Sequence, residues 1–377
     1  MALPPFRLSE PLSLGVELEV QLLSPRDFDL AAGSQRLLDY FSERPHAGAV
    51  THEITESMLE VSTGVHAGPA SLLAELRQIR DQVACAAGEF DLLVCGGGSH
   101  PFEYWPEQRI SEVPRAQALS DFYGYLAKQN TLFGQHIHVG CTGGDEAMYL
   151  LHALSRYVPH FIALAASSPY SQGADTCFDC CRLNLGPAFP VSGRAPSLLN
   201  WADFVAYFEK LEGLGIVESI KDFYWDIRPK AEFGTVEVRV CDTPLTVERA
   251  AALAAYVQAL AAHLLDVRPT LPNEYDFLAY SFSRFTACRF GLEAPYIDPS
   301  TGARGPLRDH ILRTLDEVAP YSRDLGSEPM LGYLRRVVDG SGNDAAWIRE
   351  TYGRTGTFPA LMCDQARRWA EGDPLLP

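Results

Sequence analysis

The sequence predicts an α+β fold: a mainly antiparallel β-sheet with helices on one face. Three observations carry this expectation. First, three short segments alternate with period two: Leu14-Gly-Val-Glu17-Leu-Glu19-Val-Gln21-Leu22, Gly134-Gln-His136-Ile-His138-Val-Gly140 and Thr235-Val-Glu237-Val-Arg239-Val-Cys241. Successive side chains on a strand point to opposite faces, so each segment has one polar and one apolar face. Second, such segments lie in the first two-thirds of the chain, while the remainder reads as mostly helical. Third, no repeat, low-complexity tract or flexible linker interrupts the 377 residues, so a single domain over 1–377 is the simpler reading.

The elements follow in order. Leu14–Leu22 is a strand, Pro25–Leu30 a turn and Ser34–Glu43 a helix. Residues 50–61, with Glu53, Glu56 and Glu60, read as extended or mixed. Leu72, Leu73, Leu76, Ile79 and Val83 recur at helical spacing over 72–87. A buried strand over 91–95 runs into Gly96-Gly97-Gly98, which reads as a tight turn because it lacks the Gly-Lys-Ser/Thr ending of a P-loop. Ser120–Gln129 reads as helical and leads into the His136 strand. Asp145–Ala166 reads as one long apolar-faced helix closed by Ser167-Ser168-Pro169. Residues 171–197 form a long ordered loop, and 201–211 a helix. Strands over 223–240 are expected to bend at Pro229 and at Phe233-Gly234, and Thr246 caps a helix over 247–265. The helical remainder breaks at Pro295, Gly302, Gly340 and Pro359.

Composition narrows the function. A net charge of -17 argues against a nucleic-acid partner, because phosphate binding needs clustered Lys and Arg. Nine cysteines, an odd number without a regular framework, read as reduced thiols in a cytoplasm. Cys177-Phe-Asp-Cys180 stands alone, which disfavours structural zinc. Residues 1–10 lack a basic region followed by an apolar run, so no signal peptide is expected. The apolar stretch 250–265, broken by Gln258 and His263, reads as too short and too polar for a membrane span. Small-molecule substrates are the expected partners; a homodimer is compatible with the sequence and not required by it.

The chemistry lies on the polar face. Glu17 and Glu19 share a face, as do His136 and His138, and Glu237 and Arg239. Two carboxylates about 6 Å apart repel by roughly 3 kcal/mol at an effective dielectric of about 20, and a bound divalent cation reverses that sign. Carboxylates with imidazole suit Mg²⁺ or Mn²⁺. Glu17, Glu19, Glu53, Glu60, His136 and Glu237 are too many for one such ion and fit two or three ions around a polyphosphate. Arg239 and Arg228 are placed to face a transferred phosphoryl group. His138 is a candidate for ATP or substrate binding, or for a hydrogen bond within the sheet. Cys177, Cys180 and Cys181 have no neighbouring base and read as passive thiols.

Several longer motifs carry a resemblance. Leu14-Gly-Val-Glu-Leu-Glu19, Ile54-Thr-Glu-Ser-Met-Leu-Glu60, Cys95-Gly-Gly-Gly-Ser-His-Pro-Phe102, Phe133-Gly-Gln-His-Ile-His-Val-Gly140, Trp225-Asp-Ile-Arg-Pro229 and Phe233-Gly-Thr-Val-Glu-Val-Arg-Val-Cys-Asp-Thr-Pro-Leu-Thr246 closely resemble the YbdK-type carboxylate–amine ligases, also called glutamate–cysteine ligase-like proteins. The resemblance implies a fold like the catalytic domain of glutamine synthetase. It also implies ATP and Mg²⁺, and activation of a carboxylate, the glutamate side chain, as an acyl phosphate attacked by an amine. Carried over, it makes Glu17, Glu19, Glu53, Glu60, His136 and Glu237 metal ligands and places Arg239 near the phosphoryl group. Cys177-Phe-Asp-Cys-Cys181 departs from the small and aromatic residues of that loop, which leaves the amine open. A phosphotransferase on the same sheet, a metal-dependent hydrolase using His136 and His138, and a protein that only binds ATP or an amino acid remain alternatives. On this reading Glu17→Gln and Glu237→Gln abolish turnover with modest effects on folding.

Overall fold

The structure is a computed structural model and describes residues 3–270, 272 and 274–374. Of the 1–377 span expected to form one domain, residues 1, 2, 271, 273 and 375–377 lie outside the described residues. The centre is a seven-stranded sheet. We number its strands β1 (Leu14–Leu23), β2 (Ala49–His52), β3 (Met58–Ser62), β4 (Leu93–Cys95), β5 (Gly134–Gly140), β6 (Ile227–Lys230) and β7 (Thr235–Asp242). The order is β6-β7-β5-β1-β3-β2, with β4 pairing the end of β1, and every pairing is antiparallel. The α+β expectation, with a mainly antiparallel sheet, therefore holds.

Register decides what meets on the polar face. Residues directly opposite each other on paired strands project to the same side. Glu17 lies opposite His136, and Glu19 opposite Glu60. His138 lies opposite Glu237, Glu237 opposite Arg228, and Glu60 opposite Thr51. Six strands thus deliver their chemistry to one side of one sheet. A one-residue slip in any of them would turn its ligands into the core.

The other face is apolar. Leu14, Val16, Leu18, Val20 and Leu22 of β1 are buried, as are Leu59, Val61, Ile137, Val139, Val236 and Val238. They share a core with helices Pro69–Gly88, Gly144–Ser155 and Val247–Val267. Burial of each such side chain stabilises the fold by about 1.5–3 kcal/mol. Ile137→Ala, at a fully buried position between the two histidines, would cost about 2–5 kcal/mol.

Four expectations are corrected. The stretch 145–166 is two helices, Gly144–Ser155 and Val158–Ala165. Pro159 lacks an N–H and fits only the first turn, so it starts the second helix instead of continuing the first. Residues 120–129 likewise divide into helices Pro114–Tyr123 and Tyr125–Gln129 at Gly124, whose φ is +59°. Pro229 does not bend its strand. It lies within β6, an edge strand, where a missing donor is tolerated, and the hairpin turns beyond it at Ala231–Gly234. The helix Val247–Val267 is, at 21 residues, long and apolar enough to cross a membrane by length and composition, contrary to the sequence reading. Its apolar window is 72% buried inside the protein, so it is a core helix here. Thr246 caps it by accepting the Arg249 N–H, as expected.

Candidate active site

The polar face carries three clusters whose potential ligand atoms lie within 4.8 Å of one another: Glu17 with His138 and Glu237, Glu17 with Glu60 and His136, and Glu19 with Glu53 and Glu60. All six carboxylate and imidazole candidates read from the sequence are brought together, and His138 joins them. Glu17 is the hinge of the set. Its Oε2 lies 3.0 Å from His136 Nδ1, and its Oε1 lies 3.3 Å from His138 Nε2. His136 also faces Glu19 at 3.8 Å through Nε2 and Glu237 at 3.6 Å through Nδ1.

The two ends of this face differ electrically. At one end Glu237 is fully buried, yet Arg228 Nε donates to its Oε2 at 2.6 Å and Arg239 Nη1 to its Oε1 at 2.5 Å. Burial opposes its ionisation, but Arg228, Arg239 and the two histidines hold the carboxyl well below the usual carboxylate range. Burial likewise opposes the ionisation of Glu17, and the imidazoles of His136 and His138, 3.0 and 3.3 Å away, hold it low. At the other end Glu53, Glu60 and Glu19 are all raised. Burial is the main cause for each; Glu19 and Glu60 add repulsion at Glu53, and Glu17 adds it at Glu60. Arg182 and the Gly134 N–H offset part of this at Glu19.

His136 is held below the usual histidine range by burial and by Arg239, so it stays neutral and keeps a lone pair. His138 Nδ1 lies 3.0 Å from Thr235 Oγ1, which orients the ring, and its buried Nε2 makes no hydrogen bond. A ring fixed at one nitrogen, with the other facing the Glu17 carboxylate, is how an imidazole is prepared for a cation. Hard oxygen donors, an imidazole nitrogen without a hydrogen bond and mutually repelling carboxylates together fit Mg²⁺ or Mn²⁺.

Two cavities flank the clusters. One, of about 120 Å³, is lined by Glu19, Glu53, Arg182, Arg239, Asp226 and Arg284 among others. The other, of about 500 Å³, is lined by Glu17, His138, Phe233, Val65, Leu8 and Arg7 among others. Arg239 lines the first; Arg228 lines neither. Its guanidinium is turned to Glu237 and to the Phe223 carbonyl at 3.2 Å, so it holds Glu237 from behind.

Arg182, Arg284, Asp226 and Asp242 were not singled out from the sequence. Arg182 comes from the 171–197 segment. Its Nε donates to Asp242 Oδ1 at 2.8 Å, while Asp242 Oδ2 accepts the Ser167 N–H and the Ser168 hydroxyl. A β-bulge between Val238 and Cys241 precedes Asp242. Arg284 donates to Asp226 at 2.7 and 3.1 Å, and the Tyr280 hydroxyl donates to the same carboxylate. Asp226 sat in the quoted Trp225–Pro229 motif, which was a usable signal; a lone Arg on a helix offered none.

Gly96–Gly98 is a close-packed turn. Its N–H groups at 97 and 98 donate to the Thr243 and Ser167 carbonyls, so neither is free for a phosphate. A Cβ on Gly96 would lie 2.1 Å from the Pro244 carbonyl oxygen, and one on Gly98 would lie 2.4 Å from Asp242 Cγ. The nine cysteines are unpaired. Burial pushes the Cys181 thiol up to about 12 and raises Cys180 well above the usual thiol range, so both stay protonated.

Comparison with known proteins agrees with this geometry. Residues 13–365 match the family model described as glutamate–cysteine ligase family 2. A relative from Ralstonia pickettii (strain 12J), provisionally named glutamate–cysteine ligase 2, is 53% identical over 371 residues, covering 98% of each chain. One of the same name from Acidovorax sp. (strain JS42) is 54% identical over 350 residues, covering 93% of this chain and 94% of that protein. Among solved structures, the glutamate–cysteine ligase of Francisella tularensis in complex with AMP superposes with a TM-score of 0.70 at 14% identity, covering 97% of this chain and 90% of that one. The fold is thus shared far beyond recognisable sequence. The chain belongs to glutamate–cysteine ligase family 2 and is a carboxylate–amine ligase.

Proposed function

We propose that this ligase uses ATP and Mg²⁺ to activate a carboxylate, the side chain of glutamate, as an acyl phosphate, and that an amine then displaces the phosphate. The observation that carries the reading is the meeting of two unlike cavities at one cluster of acids and histidines. The larger cavity, with Phe233, Val65 and Leu8, supplies apolar surface suited to a nucleotide base. The smaller cavity presents Arg182, Arg239 and Arg284, whose planar donors suit the two carboxylates of a glutamate-like substrate.

The residues divide the work. Glu17, Glu19, Glu53, Glu60, His136 and Glu237, with His138 beside them, would hold the metal. When bound, the metal would neutralise the triphosphate charge and align it. Arg228 keeps Glu237 ionised and in place. Arg239, fixed by Glu237, presents its remaining donors towards the smaller cavity, where charge develops during transfer. A carboxylate oxygen of the substrate attacks the γ-phosphorus and ADP leaves. The amine attacks the acyl carbon, the C–O bond to phosphate breaks, and an amide, phosphate and a proton are released.

Product analysis tests this. With glutamate, an amine, ATP and Mg²⁺, the expected products are ADP, free phosphate and amide in equal amounts. ADP with a stable phosphorylated product and no free phosphate would make the protein a kinase. Turnover without nucleotide would make it a hydrolase. A shift in melting temperature with ATP and Mg²⁺ but no products would leave only binding.

A further inference from the structure

The three arginines that line the smaller cavity are not equivalent. Burial opposes the charge of Arg239, and Glu237 and then Glu19 support it. Burial opposes that of Arg182 too, and Asp242 foremost, with Glu19 contributing, supports it. Both therefore stand beside the acid cluster. At Arg284 burial is offset first by Asp226, and no acid of the cluster is among its main supports. Arg284 thus marks the end of the cavity away from Glu19 and Glu53.

That end is held rigidly. Tyr280 and Arg284 lie four residues apart on the helix Glu274–Phe290 and share a face. Both reach Asp226, which is 6% exposed. Arg284 Nε donates to Asp226 Oδ2 at 2.7 Å and Nη2 to Oδ1 at 3.1 Å, and the Tyr280 hydroxyl donates to Oδ2 at 2.5 Å. Nη2 also reaches the Leu183 carbonyl at 3.5 Å. Nη1 has no partner among the described residues and keeps its N–H groups for a ligand. The main chain of Asp226 is fixed as well. Its N–H donates to the Gly193 carbonyl at 2.8 Å, and its carbonyl accepts the Arg239 N–H at 3.0 Å. One residue thereby joins the helix, the 171–197 segment and β7 around the cavity.

We infer that Asp226 is a positioning residue that aims Arg284 Nη1 at the non-reacting carboxylate of the donor, so that the donor class is a dicarboxylate whose second acid group lies away from the acid cluster. The inference rests on the function proposed above for which carboxylate reacts. A guanidinium already held at Nε and Nη2 loses little freedom when Nη1 binds, and a charge-assisted bond to carboxylate is a strong one. A donor without the second carboxylate would leave Nη1 unpaired in the cavity that Phe189, Tyr224 and Trp225 also line.

The test is calorimetric titration of the full-length protein, with Mg²⁺ and a non-hydrolysable ATP analogue present. The two ligands are L-glutamate and 4-aminobutanoate, which is glutamate without its α-carboxylate. Wild type should bind glutamate more tightly by about tenfold or more. Arg284→Lys keeps the buried ion pair with Asp226 and loses the free nitrogen, so the preference should vanish. Asp226→Asn keeps the shape and loses the charge. It should cut the preference by about threefold or more through glutamate affinity, with the affinity for the ATP analogue unchanged. A merely structural role would not produce that split. Asp226→Glu should reduce the preference without abolishing it, and it decides the matter if Asp226→Asn does not fold. Equal binding of the two ligands by wild type, no binding of glutamate, a full preference in Arg284→Lys or in the Asp226 variants, or a parallel loss of glutamate and nucleotide binding in those variants would overturn the inference. Phosphate release with glutamate, an amine and ATP is read separately. A glutamate preference without any phosphate release keeps the carboxylate anchor and removes the ligase mechanism proposed above.

Discussion

The two ends of the acid cluster have similar ligands and opposite electrostatics. Around Glu237, two arginines and two histidines surround one buried carboxylate, and charge is matched without any ion. Around Glu53, three carboxylates face one another and burial raises all three, although Arg182 at Glu19, the Ile54 N–H at Glu53 and the Thr51 hydroxyl at Glu60 offset part of it. A buried pair that is already matched belongs to the fold as much as to the chemistry. A cluster left unmatched is a place where the fold gives up stability that a ligand can restore. The first end is thus preorganised scaffold; on the function proposed above, the second is the end whose energy would depend most on metal.

The largest expected effect falls on the scaffold. Glu237→Gln leaves Arg228 buried beside a neutral amide, so both turnover and folding should suffer. The folding loss, measured by urea denaturation, should be about 3–5 kcal/mol. This revises the sequence-based expectation of a modest folding effect at this position. Glu17→Gln, at a half-buried position, should abolish turnover with the smaller folding loss. Equal folding losses for the two variants would erase the distinction between scaffold and ligand.

Glu53→Gln should do the reverse. It removes repulsion, so the metal-free protein should be as stable as wild type or more so. Its thermal stabilisation by Mg²⁺ should shrink. A metal-free melting temperature that falls would mean that Glu53 is matched by a partner and would break the comparison.

The two ends should also answer pH oppositely in the metal-free protein. The folded-state values of Glu53, Glu60 and Glu19 lie above the ordinary glutamate value of 4.5. In that window the folded state binds more protons than the unfolded state, so their contribution falls as pH rises past 4.5. Glu17 and Glu237 lie below it, so their contribution is present above 4.5 and is lost as pH falls through the lowered values. Denaturation followed across pH should therefore show Glu53→Gln flattening the high side and Glu17→Gln the low side. The smallest effect is expected at Cys181→Ala. The thiol is protonated and lies outside the acid and histidine clusters, so turnover should stay within about twofold.

Much of the sheet was legible because its information is local. Glu17-Leu-Glu19, His136-Ile-His138 and Glu237-Val-Arg239 state their own faces by alternation, and once paired their register brings the ligands together. The helix break at Pro159 was present in the sequence but was masked by the apolar run around it. Arg182 and Arg284 were not legible. Neither belongs to a periodic segment of the sheet, and each is held by an aspartate, Asp242 or Asp226, distant in sequence.

The central claim is that the Glu19–Glu53–Glu60 end holds metal that the Glu17–Glu237 end does not need for its own stability. Mn²⁺ titration of the full-length protein, followed by electron paramagnetic resonance in the presence of a non-hydrolysable ATP analogue, tests it directly. More than one bound ion per chain in wild type, with one fewer in Glu53→Gln, is the predicted result. The same number of ions at the same affinity in both proteins, or no bound ion in either, would contradict it.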